Sequence, residues 1–159
     1  MPTRSGRVIG IYVAAARGAL PGAVEAVAAL AGVGLAGDRY AVGAGTWSSW
    51  PGTGRAVTLI AAEVLDSLPE PWRLSAAEAR RNLLTRGIDL NALVGREFRI
   101  GGARLRGQRL CEPCRHLEEL ARAGVAAKLV GRGGLRADVL ASGLIRCGDT
   151  LEILPLRTP

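Results

Sequence analysis

The sequence predicts a mainly β protein with short helices between its strands, an α+β chain arranged as a small closed β-barrel. Many short segments are rich in β-branched residues or alternate apolar with polar side chains, and its 22 glycines and 8 prolines fall largely between them. The helical patterns are brief and do not alternate regularly with the strands, which disfavours a βαβ fold. Because 159 residues that are 48% hydrophobic suit one core, residues 1–159 are expected to form a single domain.

In the first half of the chain, Val8–Ala14 is predicted as a buried strand, because it is short, β-branched and bounded by turn formers. Pro21–Leu30 is ambiguous: its alanines favour helix, but the alternation favours strand, which we prefer. Ala56–Ile60 is predicted as a strand that leads into a short helix, Ala61–Leu68.

Later in the chain, Ser75 and Glu78 have the spacing of a capping box and predict a helix start. Gly101-Gly102 predicts a hairpin with a primed turn between two alternating segments. The remaining predicted elements are strands at 82–87, 97–100, 103–106, 108–110, 137–140 and 150–154, a helix at 115–123, and helical turns at 89–94 and 125–130.

The composition argues against several classes of protein. The net charge of +7 suggests an anionic partner, but the arginines are scattered and aromatic residues are only 4%, so we expect no nucleic-acid partner. The chain lacks an apolar run long enough to span a membrane, and its basic start lacks a convincing cleavage pattern, so we expect a cytoplasmic protein without a membrane partner. Three cysteines, two of them close together, favour reduced thiols over a disulfide framework.

Two of the three cysteines and the only histidine lie in one turn, at Cys111, Cys114 and His116. Their spacing fits a redox dithiol, half of a zinc site completed by His116 and Cys147, or two ordinary buried thiols. Arg115 occupies the place where haem attachment needs histidine. A further interpretation is a single working thiolate, Cys114, which a following helix start and Arg115 would favour. Cys147 is predicted to be a core residue of a strand.

Three other stretches contain candidate binding residues. The glycine-rich segment 32–40, with Asp38 and Arg39, is either a close approach to a ligand or a surface turn with a solvated Asp-Arg pair. Residues 80–82, Arg-Arg-Asn, suit a phosphate or the edge of a heterocycle, or else form a solvated helix end. Trp47 and Trp50 either anchor their loop to the core or cover a pocket.

Taken in order, these motifs resemble the MOSC family, the domains related to the C-terminal part of molybdenum cofactor sulfurases. The resemblance runs from about Val8 to Leu154 and rests on Gly34-Leu35-Ala36-Gly37-Asp38-Arg39-Tyr40, Val57-Thr58-Leu59-Ile60 with Glu63, Arg80-Arg81-Asn82-Leu83, Gly95 with Phe98, and Cys111-Glu112-Pro113-Cys114.

The resemblance implies a MOSC-type β-barrel that binds molybdenum cofactor, a phosphorylated pyranopterin also called molybdopterin, or carries sulfur on a cysteine. By position, Cys114 would be the metal ligand and the catalytic residue, and thiolate suits a soft metal. The residues that would contact the cofactor or build its pocket are Asp38, Arg39, Arg80, Asn82, Cys111 and Arg115.

The sequence is compatible with several activities. The resemblance implies a molybdopterin-binding protein that reduces N-hydroxylated compounds or transfers sulfur through Cys114, served by an electron-donor or sulfur-donor protein. The alternatives are a non-catalytic sulfur or cofactor carrier and a metal-free Cys-x-x-Cys redox protein. Pyridoxal phosphate has no support, because Lys128, the only lysine, lies in no recognisable pyridoxal motif.

Overall fold

The computed structural model describes residues 5–15, 19–38, 56–111 and 123–156, and strands dominate them. The predicted class, mainly β with short helices, is confirmed. The strands are β1 (Ser5–Val13), β2 (Gly22–Val24), β3 (Ala26–Leu30), β4 (Gly34–Leu35), β5 (Val57–Ala61), β6 (Leu83–Arg86), β7 (Glu97–Ile100), β8 (Ala103–Leu110), β9 (Leu135–Ala141), β10 (Gly143–Arg146) and β11 (Thr150–Ile153). The helices are α1 (Ala62–Ser67), α2 (Ala76–Ala79), α3 (Val125–Leu129) and a 3-10 turn at Leu90–Leu93.

Seven of the described strands form a closed barrel in the order β11-β7-β8-β9-β5-β6-β1, which β1 closes by pairing with β11. β2 extends β1 outside this ring, and β10, β3 and β4 form a small separate sheet. β5 and β6 run parallel to each other, so the chain needs a crossover between them, which contains α1 and α2.

The barrel core is built from the inward side chains of alternating strand positions. Val8 on β1, Phe98 on β7 and Leu105 on β8 are fully buried, and Phe98 is the only phenylalanine of the chain. A second, smaller apolar cluster joins Ile60 of β5 to the helices outside the barrel, through Leu65 of α1 and Leu129 of α3. The helices therefore cover one stretch of the barrel wall.

Local chemistry explains where several elements start and turn. The predicted capping box forms at α2: Glu78 N donates to Ser75 Oγ at 3.2 Å, and Ser75 N donates to Glu78 Oε1 at 3.0 Å. Asp89 caps the 3-10 turn by accepting from Asn91 N at 3.0 Å. In the β7–β8 hairpin, Gly101 has a φ of 56°, which a primed turn with glycine at its first central position requires.

The strand prediction at 21–30 is confirmed as β2 and β3, with Glu25 between them. Two expectations need correction, and one strand was not predicted. Gln108–Leu110 is not a separate strand, because β8 continues through a register irregularity near Gly107. β10 was not predicted, because only Ile145 of its four residues is buried and the alternation is faint. Cys147 lies just after β10, half-buried against the core, rather than within a strand.

In the part of the chain that the structure describes, none of the helices combines the length and the apolar character needed to cross a membrane.

Candidate functional site

Asn82 lies directly before β6 and joins it to the strands on both sides. Its side-chain nitrogen donates to Tyr12 O at 3.1 Å and to Asp38 Oδ1 at 3.3 Å. Its side-chain oxygen accepts from Thr58 N at 3.0 Å and from Thr58 Oγ1 at 3.3 Å. Because a side-chain amide has two donors and two acceptor lone pairs, the protein itself occupies the full capacity of Asn82.

Asp38 is completely buried where the β4 turn meets the end of β1. Its Oδ1 accepts from Ala14 N at 3.0 Å as well as from Asn82. A buried carboxylate needs such donors to offset its lost hydration. Asp38 and Asn82 are therefore in direct contact, and the solvated surface turn considered for segment 32–40 does not apply at Asp38.

Arg80 ends α2 in a left-handed backbone conformation, with φ 59° and ψ 35°. It is the one non-glycine residue with positive φ among those described. This conformation costs a non-glycine residue roughly 1 kcal/mol or more, and such strain concentrates at functional sites. The Arg80 side chain is 9% exposed, and its guanidinium donates to Ala19 O.

Arg81 links the Asn82 region to the segment that contains Cys111. Its Nε donates to Gly133 O at 3.0 Å and its Nη1 to Ala79 O at 3.2 Å. The next carbonyl, Gly134 O, accepts from Cys111 N at 2.7 Å. Within the described ranges Arg81 forms no ion pair, although its side chain is only 9% exposed. Two nearly buried guanidinium groups therefore follow each other at the Arg80–Arg81 corner, and the solvated helix end considered for residues 80–82 is wrong.

Cys111 follows β8 and is 1% exposed. Its connection to Asn82 runs through Arg81 and the two glycines rather than through a direct hydrogen bond. A thiol this inaccessible is a poor attacking group, so its burial disfavours a dithiol mechanism in which Cys111 is the nucleophile. Its role as a contact to a cofactor stays a prediction.

Arg39, Cys114, Arg115 and His116 lie outside the described residues, as do all but the last residue of the predicted helix at 115–123 and the loop with Trp47 and Trp50. The structure therefore brings together Asp38 and Asn82, with Arg80 and Arg81 next to Asn82 in the chain. Within residues 5–15, 19–38, 56–111 and 123–156, no three His, Cys, Asp or Glu side chains are grouped so that they could hold a metal ion.

Thr58 and the Gly133-Gly134 bend were not predicted as site residues, but Thr58 contacts Asn82 and Gly133 contacts Arg81. Thr58 is 8% exposed on β5, and the sequence shows it as the polar residue of Val57-Thr58-Leu59-Ile60, one of the motifs that carry the resemblance. The Gly133-Gly134 pair is visible in the sequence as part of a glycine-arginine loop, but its partners Arg81 and Cys111 are distant in the chain.

Comparison with known proteins gives a family match and a set of similar folds. The MOSC domain model matches residues 38–152, which is more than half of the chain. Comparison with curated proteins finds no match.

Solved structures with the same fold include the YuaD protein of Bacillus subtilis, with a TM-score of 0.80 at 18% identity, covering 96% of this chain and 97% of that one. YiiM of Geobacillus stearothermophilus has a TM-score of 0.73 at 16% identity, over 94% of this chain and 75% of that one. YiiM of Escherichia coli has a TM-score of 0.70 at 21% identity, over 97% and 72%.

The matched segment begins at Asp38, includes residues 80–82 and extends past the cysteine turn, and the barrel agrees with the solved structures. The chain belongs to the MOSC domain family.

Proposed function

We propose that this protein binds a molybdenum cofactor at the Arg80–Arg81 corner, with Cys114 as the ligand to the metal. The observation that carries this proposal is the pair of nearly buried guanidinium groups, one on a strained backbone and the other without an ion pair among the described residues. Positive charge held away from water favours a phosphorylated ligand such as molybdopterin.

The residues present fit such a group in charge and in donor chemistry. Arg80 and Arg81 would hold the phosphate or the polar edge of the pterin, while Asn82 and Asp38 fix the backbone from which the two arginines extend. Asn82 then acts as a positioning residue, because its amide is fully engaged within the protein.

When bound, the cofactor would supply a redox-active metal. Cys114 follows Cys111, which a hydrogen bond to Gly134 O holds at the end of β8. A thiolate at position 114 would suit the metal as a soft ligand. The reaction that we favour is reduction of N-hydroxylated compounds, with an electron-donor protein as partner; sulfur transfer through Cys114 would require a sulfur donor instead.

The proposal is tested by the pterin content of protein made in cells that synthesise molybdopterin. Arg80→Gly removes the guanidinium but keeps a backbone that glycine adopts without strain. We expect this variant to lose pterin by about tenfold, the effect of removing roughly 1.4 kcal/mol of binding energy. Its thermal stability should change little, because relief of the strain at position 80 offsets the lost hydrogen bond to Ala19 O.

The matched control is Arg73→Ala, which removes an exposed arginine from the same crossover. It should keep the pterin content of the wild type. Wild-type protein without pterin, or Arg80→Gly with an unchanged content, would overturn the assignment. Persulfide on Cys114 in protein that lacks both pterin and molybdenum would instead support the alternative function, a non-catalytic sulfur carrier.

A further inference from the structure

A row of polar side chains crosses three strands on the outer surface of the barrel. Arg7 of β1 lies directly opposite Arg86 of β6 on one side and Thr150 of β11 on the other. Val8 and Thr85, the next pair along, are buried in the barrel, so Arg7 and Arg86 face outwards. The row therefore spans the place where β1 closes the barrel.

Two arginines directly opposite each other on adjacent strands repel. Asp66 offsets one of them, through an ion pair with Arg86 at 3.0 Å. Arg7 has no ion pair with any described residue. Glu152 lies near it, opposite Ser5 on the same face, but forms no ion pair with it. One cationic group of the row thus remains without a carboxylate partner in the described part of the chain.

A cavity of about 390 Å³ opens over this row. Two guanidinium groups and two hydroxyl groups supply its hydrogen-bond donors, and Ile9, which is 40% exposed, supplies an apolar contact. Its lining residues are Ser5, Gly6, Arg7, Ile9, Arg86 and Thr150.

We propose that this cavity binds a small phosphorylated organic anion. A phosphoryl group has several acceptor oxygens, which match two guanidinium forks and neighbouring hydroxyls better than a carboxylate with two oxygens does. Its charge would also relieve the Arg7–Arg86 repulsion, while Ile9 contacts the organic part. Arg86 is four residues along β6 from Asn82, about 13 Å at the rise of a strand, so this site differs from the proposed cofactor site.

Calorimetric titration with inorganic phosphate and with glycerol phosphate, against chloride at equal ionic strength, tests the proposal. We expect the wild type to bind both, and Arg7→Gln to weaken binding about tenfold, the equivalent of one lost charge-assisted contact. Arg146→Gln is the matched control, because it removes one exposed strand arginine and the same charge from β10. It should bind as the wild type does.

Arg80→Gly separates this cavity from the Arg80–Arg81 corner. It should keep the phosphate binding that Arg7→Gln weakens, whether or not phosphate also binds at the corner. The proposal is overturned if the wild type does not bind, if Arg7→Gln binds unchanged, or if Arg146→Gln weakens binding equally. It is also overturned if Arg80→Gly removes the binding, since phosphate would then occupy the other site. The test does not depend on whether the protein carries molybdenum.

Discussion

Asn82 contributes to this protein through hydrogen bonds that it makes inside the fold. Its amide accepts from Thr58 on β5 and donates to Tyr12 on β1 and to Asp38. Removing a side-chain amide of this kind leaves several buried polar atoms without a hydrogen-bond partner, and each such atom costs about 1–3 kcal/mol of stability. Asn82 therefore couples the stability of the barrel to the geometry of the Arg80–Arg81 corner.

Asn82→Ala is expected to lower the free energy of unfolding by about 3 kcal/mol, because Asp38 Oδ1 and Thr58 N each lose a partner. Asn91→Ala is the control, since the exposed Asn91 side chain donates to Gly131 O, and its loss should cost about 1 kcal/mol or less. Denaturant unfolding of both variants measures the difference. Equal costs would show that the buried network adds nothing beyond an ordinary surface hydrogen bond.

Cys147 is expected to be an unreactive thiol near neutral pH. Burial raises its pKa above the ordinary 9.0, and the negative charges of Glu25 and, to a lesser extent, Asp149 raise it further, whereas a backbone hydrogen bond at Ile11 lowers it. The folded chain keeps this thiol protonated at a pH where the unfolded chain ionises it. Its contribution to stability is thus present below about pH 9 and is lost as the pH rises through the folded-state pKa.

Alkylation by iodoacetamide, followed at each cysteine by mass spectrometry, tests this directly, because the thiolate is the reacting form. Cys147 should react more slowly at pH 9 than the cysteine of an unstructured peptide with the same flanking residues. If the pH profile of the Cys147 alkylation rate has its midpoint at or below the midpoint for the peptide, the pKa is not raised.

At the scale of elements, the start of β9 determines where the cysteine segment begins. Gly134 has a φ of 111°, and a Cβ added there would lie 2.0 Å from Leu59 O of β5. Only glycine allows this close approach, and the approach lets Gly134 O accept from Cys111 N. Arg81 holds the preceding carbonyl, Gly133 O, from the other side.

Gly134→Ala should cost about 3–5 kcal/mol, from overpacking against β5 added to an unfavourable φ. Gly131→Ala is the matched control: its φ is 74°, but an added Cβ meets nothing within 4 Å, so about 1 kcal/mol is expected. Thermal and denaturant unfolding report both costs. If the two variants are equally stable, the close contact with Leu59 O is not a constraint on the fold.

Elements determined by neighbouring residues could be predicted from the sequence, and those determined by distant partners could not. The α2 capping box and the glycine turn of the β7–β8 hairpin are local chemistry, and both are present as predicted. β10 escaped prediction because its pairing with β3 joins residues more than a hundred positions apart and only one of its side chains is buried. The boundary between two strands was predicted at Gly107 because glycine commonly interrupts a strand. In the structure β8 continues past Gly107 with a register irregularity.

In the candidate site, too, features that depend on neighbouring residues could be predicted and those that depend on distant partners could not. The family resemblance pointed to Asp38, Arg80 and Asn82, and all three are buried in the fold. The internal use of the Asn82 amide could not be predicted, because Thr58 lies 24 residues away and its motif, Val57-Thr58-Leu59-Ile60, does not indicate which group it bonds. The charge and position of Arg81 are visible in the sequence, but its contact with Gly133, 52 residues away, is not.

At the scale of the whole molecule, barrel closure brings the ends of the described chain together. β1 pairs with β11 on one edge and with β6 on the other, so Arg7 lies where the barrel closes. Tyr12, further along β1, contacts Asn82, and Ala14, just after β1, contacts Asp38. One strand thus contributes to both proposed anion sites. The net charge of +7 on the chain favours anionic ligands at both proposed sites.

The central claim is that this MOSC domain holds molybdenum through Cys114, and the metal content of the purified protein tests it most directly. From cells competent in molybdopterin synthesis, wild type should contain about one molybdenum atom per chain, whereas Cys114→Ser should lose the metal and keep pterin at Arg80 and Arg81. Wild-type protein from the same cells with intact thiols but neither molybdenum nor pterin, or with stoichiometric zinc instead, would contradict the claim.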